Sequence, residues 1–433
     1  MPDLDRTHDP DRRSWVASAN TAACHFPIQN LPFGIFSMDG QSPRAGVAIG
    51  DRVLDLSRLA GAGLLSAADP ALWHGPDLNP LLAAGPAVWR GVRLALSDLL
   101  EAGNPSLRDA AVLRESALVP MAAARLHLPI FVRSFTDFYA SREHATNVGA
   151  LFRGRENALP PNWLHIPIGY NGRASTVVVS GTDFHRPLGQ LKAPEADAPT
   201  FGPCRRLDFE LELGAIVGTG SELGRPVTTG EAYDMIFGYV LLNDWSARDI
   251  QTWEYQPLGP FQSKAFATTI SPWIVTRDAL EPYRIACPER VHPLLPYLQE
   301  RTPNNFDIHL EASLAPAGGP RGASVISRTN SRHLYYSAAQ QLAHHAVSGC
   351  RMCTGDLLGS GTISGPTRDS LGALVEMTRG GSVPVLLECG ATRTFLEDGD
   401  RLALTGWCEG RGHRVGFGEC SGTVLPAPCQ PEW

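Results

Sequence analysis

No stretch of this sequence stays apolar over the roughly 18 residues that a membrane-spanning helix needs, so no such helix is expected. Basic charge is not in excess either: 37 lysines and arginines face 44 acids, and the net charge is −7. That balance gives no electrostatic case for nucleic acid or an anionic membrane as partner. Met1–Trp15 is charged and has no apolar signal core, so it does not read as a secretory signal; residues 1–17 are expected to form a disordered leader. Cysteine is sparse. The nine present are an odd number spread thinly, which suits free thiols in the cytoplasm better than a disulfide framework. Cys350 and Cys353 form one C-x-x-C, but a structural zinc site needs four ligands and no second pair follows. Also missing are G-x-S-x-G, H-E-x-x-H and a G-x-G-x-x-G that opens a helix after a strand. Those absences disfavour an α/β-hydrolase, a zincin and a Rossmann fold.

What is present favours strands and turns. A chain of 433 residues is long for one core and suggests two or three domains. With 43 glycines and 35 prolines, much of it is expected to be β-structure and loop. Ala45 to Ile49 and Val53 to Leu56, separated by Gly50-Asp51-Arg52, read as a hairpin. Pro80 to Ala102 reads as one helix, Thr136 to Asn147 as another, and Ser337 to Val347 as a third capped by Ser337. In the second of these, Asp137, Ser141 and His144 would share a face. Ser246 is expected to cap a helix that carries Arg248, Gln251 and Tyr255. Leu371 to Met377 reads as a strand, with Glu376 in need of a partner among apolar residues.

Leu207-Asp208-Phe209-Glu210-Leu211-Glu212-Leu213 alternates acid and apolar residues, the period of a strand with one buried face. Carboxylates at i and i+2 repel unless a cation, protons or water separates them. Tyr239 to Asp244 is a second short strand that ends in an acid. Acids delivered from strand faces and strand ends suit a hard cation; they equally suit the solvated face of an edge strand.

Several segments together carry a resemblance. They are Phe135-Thr136-Asp137-Phe138-Tyr139, Arg142-Glu143-His144-Ala145-Thr146-Asn147, Asp208-Phe209-Glu210-Leu211-Glu212 and Leu242-Asn243-Asp244-Trp245-Ser246-Ala247-Arg248. Gly361-Thr362-Ile363-Ser364-Gly365-Pro366, Gly416-Phe417-Gly418 and, far upstream, Phe26-Pro27-Ile28-Gln29-Asn30 join them. The chain resembles the fumarylacetoacetate hydrolase family in its full-length, two-domain form, across about residues 18–426. The resemblance implies a mainly β fold with some α: a small SH3-like N-terminal domain over 18–127, and a C-terminal mixed β-roll and sandwich over 128–425. Residues 426–433 would be a tail.

It further implies a cytoplasmic homodimer that hydrolyses a carbon–carbon bond of a diketo acid with Ca²⁺ or Mg²⁺, or both. By position, Asp137, Glu210, Glu212 and Asp244 would hold the cation, and Asp244 with Lys264 and Thr268 a second one. His144 would be the general base and Glu376 the acid that orients it. Arg248, Gln251 and Lys264 would face the oxyanion, and Tyr139, Arg153, Gln251, Tyr255 and Thr362 would bind substrate. Asn171 and Ala267 depart from the family pattern, in local turn geometry rather than in a carried-over side chain. Two other readings stay open: an acylpyruvase-type hydrolase or a decarboxylase or isomerase on a related diketo acid, and a non-catalytic module whose strands Ca²⁺ staples together.

Overall fold

The computed structural model describes residues 4–318 and 322–429. Two groups of strands organise it. The first is a five-stranded antiparallel sheet in the order Leu118–Pro120, Arg52–Asp55, Arg44–Ile49, Phe33–Ser37, Arg125–His127. The expected hairpin at Gly50 is its centre, with Ile49 paired to Arg52.

The second group is the larger. A mixed sheet runs in the order Gly169–Asn171, Phe135–Phe138, Leu357–Gly359, Leu211–Val217, Ile236–Asp244, Thr268–Ile270, Val177–Val179. A five-stranded sheet built on His309–Ala315, Arg401–Gly410 and His413–Leu425 packs against it. Leu211, Leu213 and Leu241 of the mixed sheet share one core with Leu310, Leu404 and Phe417 of the second.

The opposite face of the mixed sheet is covered too. Ile216, Val240, Leu242, Ile270 and Leu357 pack into the core of the N-terminal sheet, among Phe33, Ile35 and Val47. The acidic strand is therefore buried on both faces, and all seven residues of Leu211–Val217 are buried. It is central, not the half-exposed edge its alternation allowed.

Several sequence expectations change. Thr136 to Asn147 is not one helix. Phe135–Phe138 is a strand paired in parallel with Leu357–Gly359, and the helix is Arg142–Arg153, capped by Ser141. Pairing to a segment more than 200 residues away overrides local helix signals. Pro80 to Ala102 splits into Asn79–Ala83 and Pro86–Leu100, because Gly85 between them takes φ 87°. Ser246 lies in a short strand, and the following helix Arg248–Glu254 has Ala247 before it. Glu376 sits in a helical turn, Leu374–Met377, rather than a strand. The helix at Ser337 forms as expected, Ala338–Ala346 with a capping box.

The leader expected to be disordered is packed from residue 5 onward. Asp5 caps a turn at Arg6–His8, and buried Thr7 accepts a hydrogen bond from Arg93 Nε at 3.0 Å. Arg93 is 2% exposed and also donates to the carbonyls of Asn30 and Gln29 at 2.7 and 2.6 Å. A buried guanidinium must find acceptors, and the leader supplies one. Burial pushes Arg93 down to about 10, against the pull of Asp278 and Asp5. The tail expected from residue 426 is described only to residue 429. Among the described residues, no helix is long and apolar enough to cross a membrane.

Candidate active site

The mixed sheet gathers acids from strands that are distant in sequence. Asp137 comes from Phe135–Phe138, Glu210 from the residue just before Leu211–Val217, Glu212 from the start of that strand, and Asp244 from the end of Ile236–Asp244. All four are buried, and one carboxylate oxygen of each lies within 4.8 Å of the others. The strand that separates Asp137 from Glu212 carries Gly359 at that level, so no side chain intervenes.

Four buried carboxylates this close cannot all stay ionised without a counter-charge. Lys264 supplies part of it: Nζ lies 2.6 Å from Glu210 Oε2 and 2.5 Å from Asp244 Oδ2. Arg248 Nη1 lies 2.8 Å from Glu210 Oε1. Burial pushes the Glu210 carboxyl up, but Lys264, Arg248 and His144 outweigh it and hold the group well below its ordinary value. The same burial keeps Lys264 from charging easily, yet Asp244 and Glu210 more than offset it and raise its pKa. Asp137 and Glu212 lack such partners. Burial, then their acidic neighbours, push both carboxyls well up. Burial raises Asp244 as well, opposed by Lys264.

Among the described residues, Asp137 Oδ1 and Glu212 Oε1 are buried with no hydrogen-bond partner. Oxygen-only donors, an excess of negative charge and two orphaned carboxylate oxygens together fit a hard divalent cation. Lys264 and Arg248 cancel only part of that charge. These residues fit the metal that the resemblance implies.

The base pair comes from the other side. His144, in Arg142–Arg153, is 3% exposed, and its Nδ1 lies 2.6 Å from Glu376 Oε2. Glu376 also accepts from Ser364 Oγ at 2.8 Å and Asn147 Nδ2 at 2.9 Å. Burial raises the Glu376 carboxyl, but His144 and these donors outweigh it and hold it low. A carboxylate facing Nδ1 requires the proton there, which leaves Nε2 as the basic nitrogen.

His144, Asp137, Glu210, Arg248 and Lys264 line a cavity of about 310 Å³. Tyr139, Arg153, Gln251, Tyr255 and Thr362 line it as well. Arg153 is exposed there, with Nη2 held by the Ala158 carbonyl at 2.8 Å. Thr362 Oγ1 is buried without a partner among the described residues. Gln251 accepts from Arg248 Nη1 at 3.1 Å. Glu212, Asp244, Thr268 and Glu376 do not line the cavity and stand behind its wall; Thr268 Oγ1 reaches Asp244 Oδ1 at 3.3 Å. The side chains that the resemblance implies for the site thus lie in or directly behind the wall of one cavity.

Four participants were not legible. Tyr170 lines the cavity and donates to Asp244 Oδ2 at 3.1 Å, but a Gly-Tyr-Asn-Gly turn carries no signal of that. Asn147 and Ser364 hold Glu376; Asn147, three residues after His144 on its helix, could have been noted. Asp208 belonged to the acidic alternation and had no role beside it.

Comparison with known proteins agrees with this geometry. Residues 133–425 match the family described as Fumarylacetoacetate (FAA) hydrolase C-terminal, and residues 29–129 match Fumarylacetoacetase N-terminal. The chain is 51% identical over 408 residues to a fumarylacetoacetase of Arabidopsis thaliana, covering 93% of this chain and 96% of that one. It is 49% identical over 405 residues to the human fumarylacetoacetase, again covering 93% and 96%. The solved structure of a fumarylacetoacetate hydrolase from Exiguobacterium antarcticum shares the fold, with a TM-score of 0.50, 17% identity and coverage of 92% and 99%. Two family matches spanning nearly the whole chain and half of the residues identical to the relatives leave one conclusion: this chain belongs to the fumarylacetoacetase family.

Proposed function

We propose that this chain is a hydrolase that splits 4-fumarylacetoacetate with water into fumarate and acetoacetate, the last step of tyrosine and phenylalanine breakdown. The observation that carries the reading is the His144–Glu376 pair facing the same 310 Å³ cavity as the four-carboxylate cluster, Arg248 and Lys264. The names of the relatives support the substrate.

Water is a weak nucleophile at neutral pH, so a base must take its proton. His144 Nε2 does so, held in that tautomer by Glu376 at Nδ1. The hydroxide attacks the fumaroyl-side carbonyl carbon. Arg248 Nη2, buried and without a partner among the described residues, is a donor for the oxyanion that forms; one such donor contributes about 2.7–4 kcal/mol to lowering a barrier. Lys264 and Gln251 complete that side. When the oxyanion collapses, the carbon–carbon bond breaks, fumarate carries the new oxygen, and the other fragment leaves as an enolate. The proton held by His144 then goes to the enolate carbon. Arg153, Tyr139, Tyr255 and Thr362 bind and orient the substrate. A Ca²⁺ or Mg²⁺ ion held by Asp137, Glu210, Glu212 and Asp244 would supply Lewis acidity toward the diketone oxygens. A second ion at Asp244, with Lys264 and Thr268 through backbone oxygens, belongs to the same reading.

The proposal includes a division into two domains near residue 128, supported by the two family matches that meet there. It also includes a cytoplasmic homodimer. Nine free cysteines suit a reducing compartment, and exposed Leu258 and Phe261 are apolar surface that a second copy could cover.

The test is turnover of 4-fumarylacetoacetate against fumarylpyruvate and acetopyruvate, read as loss of the diketone absorbance. Preference for 4-fumarylacetoacetate is expected. Preference for either pyruvate substrate makes the chain an acylpyruvase-type enzyme, and a bound cation with no turnover of any makes it a binding module.

A further inference from the structure

Asp208 is fully buried, yet it stands outside the four-carboxylate cluster. Its oxygens take four hydrogen bonds. Oδ1 accepts from the backbone N–H of Phe209 at 2.9 Å and of Leu374 at 2.7 Å. Oδ2 accepts from Val375 N–H at 3.0 Å and from Arg248 Nε at 2.8 Å. A carboxylate offers about four acceptor positions, so none is left for a cation or for water.

Its partners lie on both sides of the reaction. Arg248 Nε is held by Asp208, and Nη1 by Glu210 and Gln251, which fixes the guanidinium plane and leaves Nη2 as a donor unpaired among the described residues. Leu374 and Val375 open the helical turn that carries Glu376. The residue before that turn, Ala373, makes no side-chain cap, so a carboxylate 166 residues away in sequence takes those N–H groups instead. One side chain thus touches the oxyanion donor and the support of the base pair.

We propose that Asp208 is a positioning residue that sets Arg248 and the Glu376 turn in one frame, so that oxyanion donor and base keep a fixed separation. This inference rests on the function proposed above. It also explains why a third acid recurs in the alternation when the cation cluster needs only Glu210 and Glu212. Asparagine cannot replace it. Its amide offers one oxygen and one NH₂, and the NH₂ must face either the N–H groups of Phe209 and Leu374 or Val375 N–H and Arg248 Nε–H, donor against donor.

The test uses the full chain loaded with Mg²⁺ or Ca²⁺. Asp208→Asn is expected to lower kcat by about 10²-fold, the scale of a misplaced reacting group, with KM and bound-cation content within about twofold of wild type. Asp208→Glu, which restores charge and acceptors, should recover part of the loss. In a chain already carrying Glu376→Gln, Asp208→Asn should cost under about threefold, because coupled residues are not additive. A folded, cation-loaded Asp208→Asn with wild-type kcat overturns the inference. So does an equal loss in both backgrounds, or failure of both Asp208 variants to fold, which makes Asp208 a folding residue. An inert wild-type chain overturns the functional reading, and this inference with it; an active wild type beside an unaffected variant overturns the inference alone.

Discussion

Gly359 pairs with Asp137 across parallel strands, and a Cβ added at Gly359 would stand 2.6 Å from Asp137 Oδ1 and 3.1 Å from Glu212 Oε2. Two carboxylates approach each other only because the residue between them has no side chain. The first contact is shorter than any real Cβ tolerates, so one acid must move.

Gly359→Ala should therefore fold and lose cation affinity. Overpacking a rigid site costs about 1–3 kcal/mol, and each 1.4 kcal/mol is about tenfold in binding. Titration of the chelated variant with Mg²⁺ or Ca²⁺ should show affinity weaker by about one to two powers of ten. Wild-type affinity would separate Asp137 from the cation.

Glu376→Gln tests the base pair. Glutamine leaves one oxygen for three donors, His144 Nδ1, Ser364 Oγ and Asn147 Nδ2. Its NH₂ must oppose one of them, and the imidazole loses its fixed tautomer. A fall in kcat of roughly 10²–10⁴ is expected, with KM and melting temperature little changed. An unchanged kcat removes Glu376 from that role.

These pairings show where the sequence was readable. Caps and tight turns were, because Ser337 and Gly50 act on their own neighbours. Asp137 was assigned to a helix face because nothing near it announces a strand whose partner is residue 359. The alternation at Glu210 and Glu212 predicts one-sided burial. The strand is covered on both sides, and its acid face continues through Gly214 and Ile216 beneath the N-terminal sheet. Periodicity reports polarity along a strand, not what other segments bring to it. The resemblance supplied that missing information, and it could not supply Tyr170 or Asp208, whose contacts are visible only in three dimensions.

Removing the cation should make stability fall with rising pH. Burial and, for Asp137 and Glu212, acidic neighbours raise the Asp137, Glu212 and Asp244 carboxyls. A carboxyl raised in the fold favours it below the unfolded value, near 4, and loses that advantage as pH climbs through the folded value. Glu210 and Glu376 are held low, so their contribution disappears only on the acid side of that window. Calorimetry of chelated protein should show Tm falling from about pH 5 to 8. Mg²⁺ or Ca²⁺ should restore it, by about 2.7 kcal/mol at a hundred times Kd. A chelated Tm that is flat over that range contradicts the unbalanced cluster.

Lys264 gives the sharpest separation of roles. It is one of two lysines, with Lys192, in a chain whose other fixed cations are arginines. Its ammonium sits between Glu210 Oε2 and Asp244 Oδ2, two groups that a divalent cation also needs. Ammonium and cation repel each other while sharing those acceptors, so the lysine limits cation affinity even as it serves turnover. Lys264→Met should bind Mg²⁺ or Ca²⁺ at least as tightly as wild type, while kcat drops by about 10²–10³, the loss typical of one oxyanion donor. Lys264→Arg should not rescue turnover, because a planar fork cannot occupy the compact position of an ammonium. Calorimetric titration beside steady-state kinetics reads both quantities. If affinity and kcat fall together, Lys264 holds the cluster's shape rather than meeting the substrate.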